Sequence, residues 1–125
     1  MSAEEPPYTT YQYISYKNVD GAAVVSFLES VSMFEGDKVQ GVGRELIDLV
    51  VAKRYTKVLL NMGNAHFVSS AMLAHLVKLL NKIKEVKGKL RLCSLRPPVM
   101  DAFRVSNFDR IFEIFPDEAS ALKKF

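Results

Sequence analysis

The sequence is poor in the residues that build covalent and metal-centred scaffolds. Its 125 residues include one cysteine, Cys93, two histidines, His66 and His75, and no tryptophan. A single thiol excludes an internal disulfide framework and is typical of a protein from a reducing compartment. The two histidines lack the close pairing of a zinc-binding helix, so we expect no metal site. Cys93 lies in an apolar stretch, where we expect it to be buried.

The chain also lacks a long apolar run. No stretch approaches the roughly 20 apolar residues that a membrane-spanning helix needs, and residues 1–7 lack the apolar core of a signal peptide. We therefore expect a cytoplasmic protein without membrane insertion. The formal net charge of +3 is small. Its excess cations, without interleaved aromatic residues, are typical of a solvated helix face, so we expect no direct nucleic-acid contact.

Hydrophobic periodicity predicts two leading strands, followed by alternating helices and strands. The sequence Asp20-Gly21 between the first two strands is a strong hairpin signal. The predicted strands are residues 11–19, 22–28, 57–62, 90–95 and 111–115. The predicted helices are residues 36–54 and 69–87, with Gly88 at the C′ position of the latter, one from Pro97-Pro98 and one from Pro116-Asp117-Glu118.

This order of elements predicts an α/β fold with one domain, residues 11–125, preceded by a loose tail, residues 1–10. We expect a four- to five-stranded mixed sheet flanked by about four helices, since helices must bury their apolar faces on such a sheet.

The sequence gives little support for catalysis or for a bound cofactor. Ser70 and His75 are spaced so that their side chains point apart on one helix, and no Gly-x-Ser-x-Gly motif is present. Gly36, Gly41 and Gly43 match neither the dinucleotide fingerprint nor the Walker pattern. We interpret them as loop and helix-packing glycines, and we expect a non-enzymatic binding protein.

Two adjacent hydroxyls stand where a loop gives way to the second predicted helix, in the sequence Phe-Val-Ser-Ser-Ala-Met-Leu of residues 67–73. Ser69 is suited to cap the helix, a contribution of about 1 kcal/mol. A helix N-terminus also presents unpaired amides and the positive end of the helix dipole, so it accommodates a phosphate. A phosphoserine there would change any surface docked against this end of the helix.

Several short motifs follow one another in a recognisable order. They are Leu-Leu-Asn-Met at 59–62, the serine segment at 67–73, and the segments at 88–93, 98–103 and 108–112. Together they resemble the STAS domains, the anti-sigma-factor antagonists, and the match in element order runs over roughly residues 11–125. In that family an Asp-Ser-Ser/Thr-Gly-Leu motif precedes an amphipathic helix.

This chain departs from the family pattern at four places. Ser69 stands for the aspartate, Ala71 for the second hydroxyl and Met72 for the glycine. The acidic Gly-x-Leu/Ile-Asp segment after the second strand is replaced by Glu29-Ser30-Val31-Ser32.

The resemblance implies a partner switch. The family's phosphorylatable serine falls on Ser70. A kinase that doubles as an anti-sigma factor would phosphorylate this serine, and a phosphatase would remove the phosphate. The unphosphorylated form would bind the kinase and free the sigma factor. Ser69 would cap the helix or act as a second phosphate acceptor, and Phe67, Met72 and His75 would flank the contact, with Met72 enlarging the docking surface.

The loss of both aspartates favours an alternative role. In this alternative the chain is a non-phosphorylated structural subunit of a signalling scaffold or of a lipid-transporter complex. Both roles are compatible with a homo-oligomer.

Overall fold

The computed structural model of the chain describes residues 9–28 and 37–125. Within these ranges the chain forms one mixed sheet of six strands, packed with four α-helices, which confirms the predicted α/β class. The strands are β1 (Thr9–Thr10), β2 (Ile14–Val19), β3 (Ala22–Phe27), β4 (Lys57–Asn61), β5 (Lys89–Cys93) and β6 (Glu113–Phe115). The helices are α1 (Asp37–Val51), α2 (Ser70–Glu85), α3 (Pro97–Val105) and α4 (Glu118–Leu122), with a 3₁₀ turn at Phe108–Arg110.

The sheet combines one hairpin with a parallel half. β2 and β3 pair antiparallel, and Asp20 and Gly21 between them have φ angles of 51° and 90°. Positive φ at both central residues is the geometry of a tight hairpin turn, as the sequence predicts. From β3 onward each strand pairs in parallel with the next, and α1, α2 and α3 make the crossovers.

A sixth strand lies at the edge of the sheet, within the segment predicted as a loose tail. Thr9 pairs with Tyr16 and Thr10 with Ser15. Because two residues are too few to show a periodicity, sequence reasoning gave four or five strands. The chain reverses just after Thr10, where the amide of Tyr11 donates to the carbonyl of Ile14 at 2.8 Å. Residues 1–8 of the predicted tail lie outside the described residues.

Helices α1, α2 and α3 bury their apolar faces on one side of the sheet, and α4 covers part of the other. The large apolar cluster between the sheet and α1, α2 and α3 includes the fully buried side chains of Leu46, Leu49, Leu76, Leu79 and Phe103. The small cluster contains Val24, Leu59, Cys93 and Ala121. Cys93 is therefore buried, as expected, and burial raises the pKa of its thiol.

The two glycines inside α1 allow close packing. A Cβ atom at Gly41 would collide with the ring of Tyr13, and one at Gly43 would collide with the ring of His75. The helix continues through both positions, so their interpretation as helix-packing residues is confirmed. Gly36 lies outside the described residues.

The end of α2 differs from the prediction. The helix ends at Glu85 rather than Lys87, and Lys87 adopts the left-handed conformation with φ of 58°. The amide of Lys87 donates to Lys84 O at 3.0 Å, and that of Gly88 donates to Ile83 O at 2.9 Å. This is the Schellman arrangement with Lys87 at C′. The prediction that Gly88 occupies C′ is therefore wrong by one residue.

Candidate functional site

The loop between β4 and α2 is fastened at several points. Asn61 accepts from the amide of Gly63 at 2.8 Å, and Arg96 donates through Nε to the carbonyl of Gly63 at 2.7 Å. The side-chain amide of Asn64 donates to the carbonyl of Phe27 at 2.7 Å. These bonds tie the loop to β3 and to the start of α3. These bonds therefore fix the position at which α2 begins.

Ser69 is the N-cap of α2. Its backbone is extended, with φ of −85° and ψ of 163°, and its Oγ accepts from the amide of Met72 at 3.1 Å. Because this hydroxyl satisfies one of the unpaired amides of the first turn, it stabilises the helix start. The capping role expected for Ser69 is confirmed.

Ser70 is the first residue of α2 and is exposed. In contrast to Ser69, its side chain makes no hydrogen bond to the residues that the structure describes. The first turn of α2 carries no acidic residue. Ser70 thus presents an accessible hydroxyl at the positive end of the helix dipole, without a neighbouring helix carboxylate to repel an incoming anion.

Met72 does not enlarge this surface. Its side chain is completely buried, like that of Leu76 one turn later. The helical spacing places Met72 in the apolar stripe of α2, which faces the sheet. The predicted contribution of Met72 to a docking surface is therefore wrong. Phe67 remains 39% exposed just before the helix and offers apolar surface beside Ser70.

His75 lies in a different environment from the serines. It is half-buried, packs over Gly43 of α1, and faces a groove between α1 and α2. Burial, reinforced by the charge of Lys78, lowers the pKa of its imidazole. The structure therefore brings Phe67, Ser69 and Ser70 together at the helix N-terminus, but it places His75 in a separate groove.

Sequence reasoning missed the residues that fasten the loop. Asn61 also donates to Glu118 Oε2 at 2.7 Å, which links the loop to α4. Asn61 and Asn64 are residues that commonly bond nearby backbone in turns, and this was the available signal. The partners Phe27, Arg96 and Glu118 are distant in sequence, so local patterns cannot reveal them.

The chemistry of the site consists of amides, hydroxyls and apolar surface. Residues 9–28 and 37–125 contain no group of three or more histidine, cysteine, aspartate or glutamate side chains arranged to hold a metal ion. No helix in the described part of the chain is long and apolar enough to span a bilayer. The arrangement is suited to binding a protein surface and to accepting a phosphate at a helix N-terminus.

An open mixed sheet with a serine-bearing helix after its fourth strand defines a recognisable class of α/β domain. The family model of the STAS domain matches residues 14–121. The chain therefore belongs to the STAS domain family, and its fold is that of the anti-sigma factor antagonists.

Known proteins agree with this assignment. BtrV of Bordetella bronchiseptica, which carries the name of an anti-sigma factor antagonist, is 32% identical over 75 residues. The match covers 60% of this chain and 65% of BtrV, slightly less than two thirds of that protein.

Two solved structures share the fold at lower identity. An anti-sigma-factor antagonist (STAS) domain protein from Planctomyces limnophilus superposes with a TM-score of 0.78 at 21% identity, covering 87% of this chain and 94% of that one. The Bacillus cell fate determinant SpoIIAA in its phosphorylated form gives a TM-score of 0.62 at 13% identity, covering 86% and 96%.

Proposed function

We propose that this chain is a non-enzymatic, cytoplasmic regulator that binds an anti-sigma factor at the N-terminus of α2. The anti-sigma factor is also a serine kinase, and its phosphorylation of Ser70 ends the binding until a phosphatase removes the phosphate. The observation that carries the proposal is the different environment of two adjacent serines. Ser69 caps the helix, while Ser70 is exposed at its first position. The family membership and the names of the relatives support the same role.

Ser70 is the better phosphate acceptor of the two serines. A phosphate on Ser69 would replace the hydroxyl that accepts from the amide of Met72. A phosphate on Ser70 leaves that cap in place and adds up to two negative charges beside unpaired amides of the first turn. We therefore expect Ser70 phosphorylation to preserve the helix and to change only the surface that the partner contacts.

The fixed loop favours a direct mechanism. Because Asn61, Asn64 and Arg96 hold the loop before α2, a phosphate acts on the partner through its own charge and bulk. Partner carboxylates facing Ser70 would be repelled, and the partner's apolar contact with Phe67 would be weakened. The phosphate therefore weakens binding by on the order of 1–3 kcal/mol.

Two experiments test the switch. Phosphopeptide mapping of the protein from its native cells, across growth and stress conditions, should find condition-dependent phosphate on Ser70. In calorimetric titrations with the kinase that copurifies with the chain, Ser70→Asp should weaken binding about tenfold or more, and Ser70→Ala should not. Ser106→Asp, which places the same charge on the exposed C-cap of α3, is the matched control. Equal affinity of wild type and Ser70→Asp for every partner would refute the proposal.

The loss of both family aspartates, at Ser69 and in the segment of residues 29–32, favours a second candidate function. In this role the chain is a constitutive subunit of a signalling scaffold or a lipid-transporter complex. It predicts serines that are always unphosphorylated, a silent Ser70→Ala substitution, and stoichiometric copurification with the scaffold or transporter.

A further inference from the structure

A second surface of the molecule lies between α1 and α2. The two helices border an open groove of about 470 Å³. Gly43, Ile47 and Val51, on successive turns of α1, form one side, and His75 and Lys78 of α2 form the other. At 1.5 Å per residue, the stretch from Gly43 to Val51 is roughly 12 Å long. The groove therefore has the length of about two helical turns.

The centre of this groove is apolar. Val51 is 58% exposed, and Ile47 is half-buried. Burial, reinforced by the charge of Lys78, lowers the pKa of His75. The His75 ring packs over Gly43, where a Cβ atom would collide with it. The groove thus presents apolar surface to solvent, and a partner could remove that surface from water.

Cations flank this apolar strip on both sides. Arg44 stands on the α1 side and Lys78 on the α2 side, and neither forms an ion pair with a carboxylate in residues 9–28 or 37–125. Asp48 also lines the groove, but its carboxylate accepts a hydrogen bond from the Tyr11 hydroxyl at 2.6 Å. An occupant with acidic groups on both edges would complement the two cations.

We propose that this groove docks an amphipathic helix of a protein partner, with an apolar stripe in the groove and acidic residues facing Arg44 and Lys78. Helix-in-groove recognition uses apolar anchors one turn apart, which matches the spacing of Ile47 and Val51. The groove is open to solvent, so a helix could enter it from the side.

The docking groove is distinct from the Ser70 surface. α1 and α2 both follow strands of the parallel half of the sheet, so their N-termini lie at the same end of the molecule. Ser70 is at that end, whereas the groove runs from the middle of α1 toward its C-terminus. The residues that line the groove do not include Ser70.

The test uses two synthetic helical peptides with identical leucine stripes, one with glutamates at its flanks and one with lysines. Each is titrated into the isotope-labelled full chain, and amide chemical shifts are followed by nuclear magnetic resonance. The glutamate peptide should shift the signals of residues 43–51 and 75–78, and the lysine peptide should bind at least tenfold more weakly. The double variant Arg44→Glu with Lys78→Glu should bind the glutamate peptide at least tenfold more weakly than wild type. Val51→Asp should have the same effect.

Matched variants separate docking from general charge and hydrophobicity effects. Lys84→Glu reverses an exposed charge elsewhere on α2, and Val105→Asp replaces a valine that is 84% exposed on α3. Both should bind like wild type. Because the double charge reversal changes only flanking residues, it tests the idea even if Val51→Asp folds poorly.

Three results would overturn the inference. The first is a glutamate peptide that leaves the groove signals unchanged, and the second is equal binding of both peptides. The third is binding of decanoate at the groove when neither peptide binds, which would assign the surface to a small anionic amphiphile. A failed Ser70 switch combined with groove-specific peptide binding would refute only the proposed function.

Discussion

Lys87 and Gly88 divide between them two tasks at the end of α2. Lys87 takes the left-handed conformation, with φ of 58°, that reverses the chain. Gly88 has no Cβ atom, and one there would collide with the backbone carbonyl of Thr56. Gly88 therefore serves close packing between the end of α2 and the segment before β4, while a lysine bears the conformational strain.

We predict opposite effects of substitutions at these neighbouring positions. Lys87→Gly should raise the free energy of unfolding by about 1 kcal/mol, because glycine adopts positive φ without a Cβ penalty. Gly88→Ala should lower it by about 1–3 kcal/mol, because the backbone of Thr56 has to move. Denaturant unfolding of both variants and wild type measures the difference. Stabilisation by Gly88→Ala would contradict the packing argument.

Local chemistry allowed several residue-level features to be predicted. Asp20-Gly21 and the capping residue Ser69 act on their own neighbours in the chain, so their signals are complete in the sequence. Met72 has the right spacing for the core and also adjoins the serines, and only its complete burial decides between the two environments. The groove around His75 depends on Gly43 of another helix, which local patterns do not report.

At the scale of elements, a single carboxylate fastens α1 to the corner that precedes β2. Glu45 accepts hydrogen bonds at 3.2, 2.9 and 3.1 Å from three consecutive backbone amides, those of Gln12, Tyr13 and Ile14. Charged acceptors strengthen such bonds. Gln12 and Tyr13 lie outside the register pairs of β1 with β2 and of β2 with β3, and Ile14 is the first paired residue of β2. Glu45 therefore supplies an acceptor where the ladder begins.

We expect Glu45→Ala to lower the free energy of unfolding by about 2–3 kcal/mol, since three amides lose a charged acceptor. The comparison is Glu85→Ala, which removes an exposed ion pair with Lys82 at 3.3 Å and should cost less than about 1 kcal/mol. Denaturant titrations followed by circular dichroism give both values. Equal losses for the two variants would show that Glu45 is an ordinary surface carboxylate.

Elements with a clear period could be predicted, and those held by distant contacts could not. The apolar residues of α2 recur every three to four positions, and β3 is a short, continuous apolar run. Both patterns are therefore visible in the sequence. β1 has two residues and exists through pairing with β2. The Glu45 bonds join residues more than thirty positions apart, so no sequence window contains both partners.

At the scale of the whole molecule, the two faces of the sheet are closed by different means. Three helices bury a large apolar cluster on one face, while the other face holds a buried cation. Arg91 is 8% exposed and lies between the rings of Phe115 and Phe125, at 5.0 and 4.8 Å from their centroids. Its guanidinium also donates to three backbone carbonyls, that of Ala121 within α4 and those of Lys123 and Lys124 just after it.

This arrangement predicts that the C-terminal segment controls access to Cys93. Phe125→Ala should remove one aromatic face from Arg91 and lower stability by about 1 kcal/mol. Because α4 covers the cluster that contains Cys93, looser docking of α4 should also speed modification of the thiol by Ellman's reagent. Phe67→Ala, which truncates an exposed ring near the other helices, should leave that rate unchanged. Equal rates for Phe125→Ala and wild type would refute this role of the segment.

During synthesis, each strand leaves the ribosome directly after the strand that it will lie beside, because the order of strands in the sheet equals their order in the chain. None of the six strands in the described part of the chain has to be inserted between two strands that are already paired. The β2–β3 hairpin can form while the rest of the chain is still being made, and each later strand then joins at one free edge. The strand order therefore allows the sheet to assemble during translation, from the hairpin toward β6.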